Sequence, residues 1–223
     1  MNFICSVCVC CFISLAVVSA AAQTPDDLAL MKKVTAAAAA APASRVTSTV
    51  TDRDSGAIVE TVVIERVPPD TVHVVTTHNG QPGSEMISDG KRSLRRAGPN
   101  DPWKPLPMNL SEMMNASRKE LSDDQMREQH GHLTPAGEDR VDGVAAKVYE
   151  LTTDNGRSKI WIAADTSRLL KTERDYEGTA PTSGVKTGAN GAVDLKALHA
   201  QLKAATAQHH LHSVTAFVYD PSI

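Results

Sequence analysis

Between Arg45 and Gly98 the sequence breaks repeatedly into short alternating segments, and this rhythm limits the chain more than any other feature. RVTSTVTDRD, AIVETVVIERV, TVHVVTTHN, SEMISDG and KRSLRRAG each carry the period of two expected of strands. The breaks between them are Asp54-Ser55-Gly56, Pro68-Pro69-Asp70, Asn79-Gly80-Gln81-Pro82-Gly83 and Asp89-Gly90. All are turn chemistry, short enough for antiparallel neighbours, so five strands in meander order are expected.

A second meander follows further on. VYELTTDNGRSKIWI, from Val148 to Ile162, holds two strand-forming runs that close on a central Asn155-Gly156. Val141-Asp142-Gly143-Val144 precedes it, SRLLKTERDY follows it, and VTAFVYD supplies a last strand. Helices are expected at three places. Pro25-Asp26-Asp27 opens a helical pattern through Leu28, Leu30, Met31 and Val34 into the alanine run that Pro42 ends. From Asn109 to Gln129, Leu110, Met113, Met114, Ser117 and Leu121 recur at helical spacing, and Ser122 with Gln125 has the form of a capping box. Finally EGTAPTSGVKTGANGA and DLKALHAQLKAATAQ read as a flexible loop and an amphipathic helix, inserted at about 177–208.

Only 4% of the residues are aromatic, and Phe3 and Phe12 belong to the first segment, leaving Phe217 as the one Phe of the folded part. The core must therefore be built from Val, Ile, Leu, Met and Ala. The 23 Lys and Arg are scattered among 26 Asp and Glu, which gives no basic field and argues against nucleic acid as a partner. Residues 1–22 carry no charged side chain, and the apolar run from Phe3 to Val18 is short for a bilayer span, so the segment reads as a cleavable export signal. Val18-Ser19-Ala20 and Ala20-Ala21-Ala22 offer cleavage sites; an uncleaved anchor is the alternative, and a lipoprotein signal fits less well because Cys11 comes early and Cys8 stands where Leu is expected. Cys5, Cys8, Cys10 and Cys11 all lie in this segment, so residues 23–223 form a single domain without disulfide or thiol chemistry.

Enzyme motifs are missing where they would be visible: there is no G-x-S-x-G, H-E-x-x-H, P-loop or G-x-G-x-x-G after a strand. Asp123-Asp124 sits at an expected helix start, where the helix dipole accounts for it. His130-Gly131-His132 and His209-His210-x-His212, with His199, raise a metal-binding alternative, but the spacing matches no four-ligand site and a solvated helix end explains the second group. No cofactor and no catalytic residue is expected. Trp103 and Trp161 read as packing residues, Trp161 on the face opposite Ile160 and Ile162.

PDTVHVVTTHNG, EMISDGKRS, the Trp of DPWKPLP, VDGVAAKVYEL, KIWIAADTSRLLKTE and the terminal YDPSI together resemble the LolA/LolB-like periplasmic lipoprotein-carrier superfamily. The resemblance spans roughly Arg45 to Tyr176 and the last strand; the loop and helix before that strand depart from it. It implies an α+β fold, a strongly curved, unclosed antiparallel sheet with helices over its concave face, and an apolar cavity for acyl chains. Such a face needs apolar side chains, and Val72, Val74, Leu94, Val148, Ile160, Ile162 and Leu170 are available at period-two positions. Met108, Met113, Met114 and Met126 suit a lid over variable chains, although ordinary core packing accounts for them equally. The expectation is a periplasmic, monomeric, non-enzymatic carrier or binder of hydrophobic or lipidated ligands. The alternative is an envelope protein that uses the same fold for protein contacts or stress sensing.

Overall fold

The computed structural model describes residues 25–41, 43–116, 132–153, 156–179 and 208–219. In chain order these form α1 (Pro25–Ala39), β1 (Ser44–Asp52), β2 (Ile58–Val67), β3 (Thr71–His78), β4 (Gln81–Asp89), β5 (Ser93–Arg96), β6 (Lys104–Pro105), α2 (Leu110–Ala116), β7 (His132–Val141), β8 (Val144–Thr153), β9 (Gly156–Ala163), β10 (Leu169–Thr179) and β11 (Gln208–Val218). The strands make one open, curved antiparallel sheet in the order β6-β5-β4-β3-β2-β1-β11-β10-β9-β8-β7. Two meanders, β1 to β6 and β7 to β10, are joined where β11 pairs with β1 on one side and β10 on the other.

The turns explain why each meander folds locally. Asn79 and Gly80 link the paired residues His78 and Gln81, and both have positive φ, 50° and 71°. Asp142 and Gly143, at 50° and 83°, do the same between Val141 and Val144. Consecutive left-handed residues match the twist of the strands they join, which is why Asn-Gly and Asp-Gly serve here. Two sequence expectations need correction. Thr153 pairs with Gly156, so Gly156, with φ of 119°, opens β9 and does not sit at the centre of its turn. The histidines from His209 to His212 belong to β11, which starts at Gln208, and not to a helix end. The expected export signal, Met126 and the inserted loop and helix beyond Thr179 lie outside the described residues.

Residues directly opposite one another share a face of the sheet. By that rule Met86, Val74, Ile64 and Val46 form one row from β4 to β1 that continues to Phe217 of β11. Thr215, on the same side of β11, opposes Thr172, which opposes Ile160, which opposes Tyr149. Both helices pack on this face. Leu110, Met113 and Met114 of α2 meet Val62, Ile64, Val72, Val74 and Met86, while Leu30, Met31 and Val34 of α1 meet Leu133, Leu151, Ile160 and Ile162.

The other face is held differently. Across β1 to β5 it carries a ladder of alternating charge: Arg45 Nε donates to Glu65 at 2.9 Å, His73 lies between Glu65 (3.2 Å) and Glu85 (2.8 Å), and Arg96 Nε donates to Glu85 at 2.6 Å. The Arg96 guanidinium also lies 4.8 Å from the centre of the Trp103 ring, which is exposed. At the β8–β9 end, Trp161 is buried among Ala146, Val148, Ala163 and Leu170, and its Nε1 donates to Asp139 at 2.9 Å.

The ladder makes stability depend on pH. Burial opposes the charge on His73, but hydrogen bonds to Glu85 and Glu65 outweigh it and raise the imidazole above its ordinary value. The stabilisation is therefore complete below the unfolded value near 6.5 and fades as pH rises through the higher folded one. The stability difference between the native chain and His73→Gln should be larger at about pH 5.5 than at about pH 9, by ~0.5–1 kcal/mol for this partly solvated group. Equal differences at the two pH values would remove the ladder from the account.

Candidate functional site

The helix-covered face is the candidate site, and α2 is fixed to it by a buried cluster of small polar side chains. Asn109 caps the helix, its Oδ1 accepting from the backbone N–H of Ser111 (3.0 Å) and Glu112 (3.2 Å), while its Nδ2 donates to the Gly90 carbonyl at 2.9 Å. Leu110 N–H donates to Ser93 Oγ at 2.8 Å. Ser111 Oγ reaches the Asp70 carbonyl and lies 2.7 Å from Ser88 Oγ, itself 3.1 Å from Ser93 Oγ. Gly90, with φ of 84°, allows the turn to approach: a Cβ there would stand 2.4 Å from Asp70 Cβ. The start of α2 is thus tied to the Asp70–Gly90 end of β3 and β4.

Beyond that anchor the face divides in three. Under α2 lies one apolar cluster and under α1 another. Between them the inward side of β1, β11 and β10 carries Val46, Phe217, Ser213, Thr215 and Thr172, each half-buried, beside the buried Ser48 and a further apolar cluster in which Val50 and Leu211 meet Tyr176. Thr215 Oγ1 donates to Ser48 Oγ at 3.1 Å, which satisfies that pair within the floor. The described helices contact the two flanks of this floor, and Val46 packs against the cluster under α2.

The expected cavity residues split between the two faces. Val72, Val74, Ile160 and Ile162 are buried on the helix-covered side, and Met113 and Met114 pack over the first two. Leu94 opposes Ile87, which opposes His73, so it belongs to the face of the charge ladder. Val148 opposes Trp161, and a bulge between Leu169 and Lys171 sends Leu170 to the same outer cluster. Leu94, Val148 and Leu170 therefore do not share a face with the rest. Met108 is half exposed, ahead of α2.

The histidines are paired with carboxylates on both sides of β11. His209 Nδ1 lies 2.6 Å from Asp52, whose carboxylate also accepts the Ser55 and Asp54 N–H groups; the Ser55 N–H bond is the main reason it is held below the ordinary carboxylate range. His210 lies 3.5 Å from Asp54 and 3.6 Å from Glu177, and His212 lies 2.7 Å from Asp175. Among the described residues no group of three or more His, Cys, Asp or Glu is arranged to hold a metal ion.

One part of the face was not visible in the sequence. Glu60 and His78 oppose each other on β2 and β3, with Nδ1 and Oε2 3.4 Å apart. Burial pushes the Glu60 carboxyl up and the His78 imidazole down, each toward its uncharged form. Glu60 and His78 stand at opposite ends of a β2–β3 hairpin, which gives no local motif, so only the register exposes the pair.

No protein-family model matches the chain, and no curated protein matches it in sequence. Among solved structures, the lipoprotein LppX of Mycobacterium tuberculosis is similar with a TM-score of 0.52 at 15% identity, over 88% of this chain and 95% of that one. LprF of Mycobacterium bovis gives 0.49 at 12% identity, over 88% and 93%. A LolA superfamily protein of Nitrosomonas europaea gives 0.28 at 12% identity, over 85% and 90%. The likeness to LppX is one of fold: an open, curved antiparallel sheet with helices on one face.

Removing the acceptor that anchors α2 should cost more than its small volume suggests. Ser93→Ala leaves the buried Leu110 N–H without its partner, so the unfolding free energy should fall by ~1–3 kcal/mol and the denaturation midpoint with it. An unchanged midpoint would show that the serine cluster does not fix the helix.

Proposed function

We propose that this chain is a non-enzymatic carrier or binder of acyl chains, of lipidated proteins or of other hydrophobic ligands, acting in the periplasm after export. The observation that carries the reading is the division of one sheet face into two helix-covered apolar clusters with a half-buried floor between them. An acyl chain laid along that floor would touch Val46 and Phe217, with Val72, Val74, Met113 and Met114 on one flank and Ile160 and Ile162 on the other. Thioethers suit such a lining because they repack around chains of different length. LppX, which shares the fold, is a lipoprotein, in keeping with an envelope setting for this one. Each buried methylene contributes ~0.8 kcal/mol, so about ten of them reach the micromolar range, tight enough to carry a load and weak enough to release it to an envelope partner.

A fluorescent fatty-acid probe should bind saturably to the purified chain. Met114→Asn and Phe217→Ser should each weaken it about tenfold or more, whereas Val144→Thr, an exposed position at the β7–β8 turn, should leave it unchanged. Absence of saturable binding, or equal loss in all three variants, would turn the reading toward a fold used for protein contacts.

A further inference from the structure

Apart from the serine cluster that anchors α2 and from Arg66, the inward face carries a further polar group toward the turn that joins β3 to β4. There Glu60, Thr76, His78 and Ser84 come together from three adjacent strands. Glu60 opposes His78 and Val62 opposes Thr76, while the β3–β4 register shifts between Val75 and Thr77 and sets Thr76 against Gly83 and Ser84. A Cβ at Gly83 would lie 2.7 Å from the Thr76 carbonyl oxygen and 3.0 Å from the His78 ring, so glycine is what lets β4 close on this group.

Glu60 and Thr76 are 5% and 0% exposed. Thr76 Oγ1, His78 Nδ1 and Ser84 Oγ are buried, and none has a hydrogen-bond partner among the described residues. The 3.4 Å approach of His78 to Glu60 lacks the alignment of a hydrogen bond, which reconciles the contact with the unpaired nitrogen. Buried polar atoms are nearly always satisfied, and three unpaired ones on neighbouring strands call for a reason. They cost the folded state stability that an apolar replacement would restore.

We propose that these four residues form a polar subsite for the uncharged, hydroxyl-bearing head of an acyl ligand, a glycerol-type head being the simplest. The inference rests on the acyl-binding reading above and names the head group that the same face selects. Threonine and serine hydroxyls both donate and accept, a neutral imidazole does so through its two nitrogens, and the Glu60 carboxyl, which burial pushes up, offers an acceptor oxygen. A hydroxylated head can meet each of them, and a methyl ester can only accept. Among the described residues an anionic head finds no Lys or Arg beside it: Arg66, on the same side of β2, stands roughly 20 Å further along the strand. Arg174, three strands away on the same face, lies 5.6 Å from the Tyr176 ring.

The test is displacement of a fluorescent fatty-acid probe from the purified chain by monopalmitoylglycerol, methyl palmitate and palmitate, which share one acyl chain. Monopalmitoylglycerol should displace at about tenfold lower concentration than methyl palmitate, the gain expected of one or two net hydrogen bonds. Palmitate should gain no such advantage. Thr76→Val combined with Ser84→Ala should reduce that preference to about twofold or less while leaving methyl palmitate unchanged, and Thr76→Val alone should raise the melting temperature. If the probe binds but the three ligands displace it equally, the polar subsite is wrong and the acyl-binding reading stands. If the probe does not bind, the acyl-binding reading fails and the subsite falls with it.

Discussion

A sheet that stops short of closing must protect two edges and choose one face to cover, and the rest of this structure follows from that constraint. The edges are blunted by short length and by residues that resist further pairing. β6 is only Lys104–Pro105. β7 carries Pro135, a register shift beside Gly137 with φ of 121°, and exposed Glu138, Asp139 and Arg140. An open sheet with quiet edges keeps its curvature without closing around its own side chains, and this leaves the covered face available for something other than packing.

The two faces then hold the sheet by different means. On the outer side, Arg45, Glu65, His73, Glu85 and Arg96 tie five consecutive strands through charge without needing a layer above them. On the inner side, the short α2 is fixed where it begins by Asn109, Ser93 and Ser111, while Met113 and Met114 contribute only partly buried packing. A helix pinned by hydrogen bonds at one end and held by adaptable thioethers beyond it is suited to yield to a guest. The same face keeps Thr76, His78 and Ser84 under-satisfied beside the buried Glu60, a local cost in stability of the kind that accumulates at functional sites.

Much of this was legible in the sequence, because turn chemistry and period-two alternation act locally. The meander from Arg45 to Arg96, the helix from Pro25 and the second meander around the β8–β9 hairpin are all written in adjacent residues. What local pattern does not carry is register. Val148 illustrates a signal that was present: a two-residue loop pairs even positions with odd ones, so Val148 must share the face of Trp161 and Ala163. Leu170 illustrates one that was not, since the bulge that turns it outward depends on how β10 meets β9. Leu94 could be placed only through the chain of partners from His73 to Ile87. The His209–His212 stretch was misread because alternating His, Leu and His after an alanine-rich run fits either period, and pairing with β1 and β10 decided it. The serine cluster and the Glu60 group each draw single residues from successive elements a strand length or more apart, so neither forms a motif.

The central claim is that the covered face of this sheet holds an acyl-bearing molecule. Native mass spectrometry of the chain purified from its own cell envelope, without detergent exchange, tests it directly. The account predicts a population heavier than the processed polypeptide by discrete masses, released on organic extraction as molecules with acyl chains. A single species at the mass of the bare polypeptide, unchanged by extraction, would contradict it.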